Sequence, residues 1–455
     1  MKKNNAIILC GINIFFILVT SLEFLYLYII EDSYNLFFRK FLDFQFLFVL
    51  GYSIICGTIL ISFFQPYNIF LGTFFIFLGG RFFLDLFNLR DVMLMDRFIN
   101  FSLKGIEEVE LFKIMIFSIL FINLGFLISN ILNNKEIKKY IISRKILKIR
   151  KIYKILYEIF FCLETYKKFL LFNFVKKNTY LGLYKKQINY PFFIKGSGTF
   201  LEITYMLFLL TRPKKKEFII ISIQYIFIGF FEALSGSRGK FIIRILIVLT
   251  YYFCEYNQNK KKNNYLFVSA TLSFIVIFSQ YINQTRAGLK FNLTGVYFSF
   301  ISQQSTSINV LGTLIKYKEE LFFKVKNVIF SPFFYRVGIN NIENSITGTL
   351  TYRLSHFLSP DLYFSGQGLG GSFLGDIYNL SIILKILLLI FLGFMIHTVF
   401  INRNKNIFLS GVYFIALNHI YYMSRGNYFI GIWQLPNLIV ILIHYFIVKN
   451  LKGKR

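Results

Sequence analysis

The sequence predicts an all-α polytopic integral membrane protein of about twelve transmembrane helices, with one large outward-facing loop between spans nine and ten. Three observations carry this. Apolar runs of roughly twenty residues, the length that crosses a bilayer's hydrocarbon core, recur throughout the 455-residue chain. Hydrophobic residues make up 56% of it, and the mean hydropathy of +0.58 is too apolar for a soluble domain. Basic clusters, finally, fall on alternate links between the runs.

In order, the expected spans are Ala6–Ile30, Phe44–Phe64, Ile69–Phe87, Leu111–Leu132, Ile155–Val175 and Gly198–Thr211. Then come Phe218–Leu234, Phe241–Tyr256, Tyr265–Asn283, Ile377–Phe400, Phe408–Met423 and Ile432–Val448. Ile155–Val175 is the weakest, because it carries Glu158, Glu164, Lys167 and Lys168. The first run is too long for a cleaved signal peptide and lacks a small-x-small cleavage site, so it reads as a retained span. Cys10, Cys56, Cys162 and Cys254 all fall in apolar segments and form neither a disulfide framework nor a zinc spacing. The organisation is therefore 1–283 (nine spans), 284–376 (the large loop) and 377–455 (three spans and a tail).

The net charge of +29 does not point to nucleic acid. Its lysines sit in short links beside apolar spans, where basic residues act as topology signals, rather than on a soluble basic face. With Lys2 and Lys3 cytoplasmic, Lys135–Lys154, Arg212–Glu217, Asn257–Asn264, Asn402–Asn406 and the C-terminal tail also fall inside. Lys176–Lys195 is the exception. The bias places both termini in the cytoplasm and Gln284–Asp376 outside. Within that loop Leu311–Phe323 has helical spacing with a charged face, as a helix lying on the membrane surface would have.

This orientation gathers arginines at the outer surface. Arg238 lies in Ser235-Gly236-Ser237-Arg238-Gly239, Arg425 in Ser424-Arg425-Gly426, Arg286 opens the loop and Arg353 lies within it. A guanidinium bonds two oxygens at once and stays charged, which suits a diphosphate; the alternative is an interfacial anchor that snorkels to water. His356, three residues after Arg353, is either a base or phosphate donor or an ordinary loop histidine. His397, His419 and His444 lie in or near apolar helices, with no metal-ligand spacing, so neither a metal nor another cofactor is expected. Charged residues inside spans are costly. Arg81 and Asp85 share a helical face as an ion pair would, while Glu202 and Glu232 lie near the outer surface as alternative bases or arginine partners. Glu23, Arg244 and Lys385 suggest no partner.

The patches at these residues resemble the O-antigen polysaccharide polymerase (Wzy) family. They are Ser-Gly-Ser-Arg-Gly at 235–239, Gln303-Gln304-Ser305-Thr306-Ser307, and the loop exit Gly366-Gln367-Gly368-Leu369-Gly370-Gly371-Ser372-Phe373-Leu374-Gly375-Asp376-Ile377-Tyr378. The last resembles a Gly-x-Gly-Leu-Gly-Ser-Ser-x-x-x-Glu-x-Tyr pattern, with Asp376 in place of Glu and Gly371 in place of Ser. Ser424-Arg425-Gly426 resembles a Ser-Pro-Arg turn without its proline. The resemblance implies a metal-independent glycosyltransferase of the cell inner membrane. It would transfer a growing glycan from undecaprenyl diphosphate to a new lipid-linked repeat unit on the outer face. Its partners would be those lipid-linked glycans, the bilayer and a chain-length regulator protein. Arg238, Arg425, Arg286 and His356 would be catalytic, with Arg353, Gln304, Gly368, Gly370, Asp376 and Glu202 binding substrate. Two rivals share features: a flippase or other transporter, by its span count, and an O-antigen ligase, by its arginines and loop. The absence of visible paired halves disfavours the first, and the Gln-Gln-Ser and glycine-rich patches disfavour the second.

Overall fold

The computed structural model describes residues 2–29, 36–89, 103, 105–133, 144–178, 188–235, 238–256, 262–286, 290–318, 320, 354, 357, 372–426, 428 and 435–452. All regular structure among them is helical. The chain divides into two compact units, each discontinuous: 1–135 with 292–398 and 420–433, and 136–291 with 399–419 and 434–455.

The first unit opens with α1 (Lys2–Ile29), α2 (Leu36–Leu60) and α3 (Pro66–Phe74). Pro66 starts α3 where its missing N–H costs nothing, and the Gln65 amide donates to the Gly57 carbonyl at 2.6 Å. A π-turn, Phe75–Gly79, runs directly into α4 (Gly80–Leu86). Next comes α5 (Ile106–Leu132), with Glu107 and Glu108 in its first turn, where the helix dipole favours them. Its core polar groups are paired with one another, as membrane burial requires: Asn123 donates to Asn13 at 2.8 Å, and Tyr67 donates to Asn123 at 2.8 Å.

The second unit holds α6 (Arg144–Asn178), α7 (Ser197–Leu210), α8 (Lys215–Leu234), α9 (Arg238–Glu255) and α10 (Lys262–Arg286). Arg212, at a φ of +48°, followed by Pro213, breaks α7 from α8. Arg150 of α6 closes that turn, donating to the carbonyls of Thr211 at 2.7 Å and Arg212 at 2.9 Å and pairing with Glu217 at 3.3 Å.

Returning to the first unit, the chain forms α11 (Val296–Gln304), α12 (Ser307–Lys316) and α13 (Phe373–Tyr378). Then follow α14 (Ile382–Asn402), in the first unit through residue 398, α15 (Ile407–Tyr422), in the second unit through residue 419, a single 3-10 turn, Met423–Arg425, in the first unit, and α16 (Leu435–Lys452) in the second. Gly125 of α5 and Gly393 of α14 let two backbones touch. A Cβ on Gly125 would lie 1.9 Å from the Ile390 carbonyl oxygen, and one on Gly393 would lie 1.8 Å from that of Ile122. One turn on, Ser129 lies 2.8 Å from Thr398 and 2.8 Å from His397 Nδ1. Close approach of small residues with interhelical hydrogen bonds is how helices associate where water supplies no driving force.

Eight helical stretches among the described residues are long and apolar enough to cross a membrane. They cover eight of the twelve expected spans. The other four, Ile155–Val175, Phe241–Tyr256, Tyr265–Asn283 and Ile432–Val448, coincide with α6, α9, α10 and α16 but are not among those eight; on α16 the apolar stretch among the described residues runs from Asn437 to Lys449. One expectation is corrected. The helix near Leu311–Phe323 begins earlier, at Ser307, and residues 307–315 are all buried, so it packs inside the first unit instead of lying on the membrane surface.

Candidate functional site

Four segments remote in sequence pack together in the first unit: the π-turn with α4, α11 with α12, α13, and the Met423–Arg425 turn. The meeting point begins at the π-turn. An extra residue in a helical turn displaces its side chains, and such turns recur at functional sites. Here it presents Phe77 to the Arg425 guanidinium, 5.7 Å from the ring centroid. Arg425 Nη1 donates to the Gln304 side-chain oxygen at 2.8 Å, which turns the Gln304 amide nitrogen away as a free donor. About one turn on from Phe77, Arg81 is buried. It donates to Asn309 Oδ1 at 2.5 Å and to the Ser302 carbonyl at 3.4 Å, fixing the segment that carries Gln304. Ser305 Oγ donates to the Ile76 carbonyl at 2.8 Å, tying that segment to the π-turn. Gly80 makes the approach possible: a Cβ there would lie 2.3 Å from Ser305 Oγ.

Asp376 closes the other side. Its Oδ2 accepts the backbone N–H of Tyr428 at 2.7 Å, and the Tyr428 hydroxyl donates to the Leu388 carbonyl at 2.9 Å. The carboxyl is fully buried, and burial pushes it up to about 8 against the opposing pull of the Tyr428 N–H. Five unpartnered buried polar atoms lie on these segments. Among the described residues, Gln304 Nε2, Ser307 Oγ, Ser372 Oγ, Asp376 Oδ1 and Ser424 Oγ are buried without a hydrogen-bond partner. Each such group costs about 1–3 kcal/mol. Five of them on mutually packed segments are tolerable where a polar ligand completes them. A guanidinium, an amide donor, hydroxyls and a carboxyl near neutral pKa can together hold an oxyanion and move a proton.

The structure thus brings Gln304, Asp376 and Arg425 together, with Ser307, Ser372 and Ser424 from the same sequence patches. Arg81, Phe77, Asn309 and Tyr428 join them unforeseen. Arg238 belongs to the second unit, where it opens α9 and donates to the Ser279 carbonyl at 3.4 Å. Arg286 ends α10, while Arg353, His356, Gly368 and Gly370 lie outside the described residues.

Glu202 falls in a second cluster, a charge network joining α6 to α9. Lys168 bridges Glu164 at 3.0 Å and Glu232 at 2.9 Å; Arg244 bridges Glu232 at 3.3 Å and Glu202 at 3.7 Å. Arg244 also lies 4.5 Å from the Tyr225 ring centroid. Its carboxylates pair with cations across helices, so the network holds the unit together. The first unit shows the same pattern: Asp85 pairs with Arg39 at 2.7 Å, and Glu23 accepts from Gln45 at 2.5 Å.

Searches of curated proteins and of solved structures returned no match to the chain. A family model, described as O-antigen polysaccharide polymerase Wzy, matches residues 12–455. That match runs through every segment that builds the Arg425–Gln304–Asp376 centre, and on it the chain belongs to the O-antigen polysaccharide polymerase Wzy family.

Proposed function

We propose that this polymerase joins undecaprenyl-diphosphate-linked repeat units on the outer face of the cell inner membrane, with the reaction centred on Arg425, Gln304 and Asp376. The Arg425–Gln304 hydrogen bond, with unpartnered buried polar atoms on the segments packed around it, carries the reading. The acceptor sugar hydroxyl attacks the anomeric carbon of the donor glycan. The bond from that carbon to the diphosphate oxygen breaks, and undecaprenyl diphosphate leaves with the electron pair. Negative charge grows on the leaving oxygen, where the Arg425 fork and the Gln304 amide supply donors fixed in advance. One such donor is worth about 10²–10³ in rate. The hydroxyl proton passes to Asp376 Oδ1, the oxygen not engaged by Tyr428. A base with a pKa near the working pH performs that transfer best. Arg81 acts as a positioning residue, through Asn309 and the Ser302 carbonyl. The alternation of basic links supports termini in the cytoplasm and the Arg425 end of α15 on the outer face.

The test is a deletion strain. It should place a single repeat unit on its surface acceptor and make no long chains. A strain whose single unit never reaches the outer face would show a flippase instead, and one that accumulates finished polymer on the lipid carrier would show a ligase.

A further inference from the structure

A groove of about 420 Å³ opens in the first unit among α1, α5, α13 and α14. Leu374, Ile377 and Tyr378 of α13 line it, one face of that short helix, while Asp376 lies on another. The lining is sorted by chemistry along the helices. One end carries Lys113 of α5 and Lys385 of α14, whose ammonium groups stand 4.9 Å over the Tyr28 ring and 5.0 Å over the Tyr378 ring. Glu110 is the single carboxylate of the lining, and it accepts the Tyr378 hydroxyl at 2.8 Å. Two ammonium groups against one carboxylate leave that end net positive. Farther along, the walls are Phe117, Phe121 and Leu389. From Glu110 to Phe121, α5 rises about 16 Å at 1.5 Å per residue.

A groove apolar at one end and cationic at the other fits an amphiphile with an anionic head. We infer that it seats a lipid carrier, with a phosphate at Lys113 and Lys385 and a single isoprenoid chain along Phe117, Phe121 and Leu389. The identity of that lipid rests on the polymerase reading; the sorting of the groove does not. Lysine holds an anion as a point charge without the forked geometry of arginine, so this end retains a phosphate and leaves its activation to Arg425. Because α13 is a wall of the groove and also carries Asp376, the seated head lies beside the helix of the reaction centre.

The test uses the full chain in phosphatidylcholine nanodiscs, without glycan substrate, and a polyprenyl phosphate bearing a diazirine on its chain. Crosslinks should map to residues 113–121 and 385–389. The matching polyprenol should label them about tenfold less. Lys113→Gln with Lys385→Gln should bring phosphate labelling down to the alcohol's level, and Lys113→Arg with Lys385→Arg should keep it. Equal labelling by phosphate and alcohol would reduce the groove to an apolar crevice, and equal competition by phosphatidylglycerol would make it an ordinary lipid seat. Label confined to other segments would also overturn the inference. If the glutamine pair misfolds, the phosphate-to-alcohol ratio in the unaltered protein decides alone. A protein that labels the groove yet never elongates glycan would sink the polymerase reading and leave the groove standing.

Discussion

Arg425 offers the sharpest test, because its structure separates a diphosphate clamp from a membrane anchor. Its Nη1 donates to Gln304 at 2.8 Å, leaving the rest of the guanidinium fork for a ligand. Arg425→Lys keeps the charge but cannot hold the Gln304 oxygen and two phosphate oxygens together. Losing one preorganised donor at a developing oxyanion costs about 10²–10³ in rate, or roughly 2.7–4 kcal/mol. Gln304→Ala removes a hydrogen bond to a charged group, about 1.5–3 kcal/mol, and so costs roughly 10- to 150-fold. The two residues share one bond, so their double substitution should fall short of the summed losses by about 0.5–3 kcal/mol. The assay is glycan elongation from purified lipid-linked repeat units, alongside immunoblots showing equal protein in the membrane. Full-length glycan from Arg425→Lys at normal protein level would mark it as an anchor, since lysine snorkels as readily. Strictly additive losses would show that Arg425 and Gln304 do not work as one unit.

Four further outcomes are expected. Elongation should rise as pH climbs through about 8 and then level off, as Asp376 loses its proton; Asp376→Asn should cut the rate about 10²–10⁴-fold and flatten the profile, whereas an unchanged profile would remove Asp376 as the base. Because folding raises this carboxyl's pKa from 3.8, its contribution to stability is present at low pH and lost as pH rises toward about 8, so Asp376→Asn should melt higher than the parent protein at pH 8. Gly393→Leu should drive α5 and α14 apart and cost about 1–3 kcal/mol or more, read as a lower melting temperature in detergent; an unchanged melt would mean the two helices do not touch there. Cysteines at positions 340 and 365 should react with an impermeant thiol reagent in outer-permeabilised cells, and labelling only after lysis of the inner membrane would reverse the assigned orientation.

Much of this was legible in the chain, but unevenly. Gln304, Ser372, Asp376, Ser424 and Arg425 stand out as polar residues in short patches, and the structure packs those patches together. Arg81 shows the limit of local spacing. Its distance from Asp85 suggests a local ion pair, and in the structure it also reaches Asn309 and Ser302 more than two hundred positions away. Periodicity along one helix carries no information about such partners. Arg244 failed for the same reason, since its carboxylates sit on α7 and α8. Helix α12 looked amphipathic because its charges cluster at its C-terminal end, whereas Ser307, Asn309 and Thr313 are polar yet buried. Nothing in the sequence announced the π-turn, because a run of phenylalanines and glycines fits an α-helix equally well.

The interleaving of the two units bears on how the protein is made. Arg81 belongs to the first stretch of its unit, Gln304 and Asp376 to the second and Arg425 to the third, with the other unit's helices synthesised in between. A ribosome that has delivered the chain through α14 has therefore still not supplied the last wall of the centre. Until Tyr428 emerges, the Asp376 carboxyl lacks the amide that holds it. If this centre is the proposed reaction centre, a chain released before Arg425 would be a membrane-resident polypeptide without it.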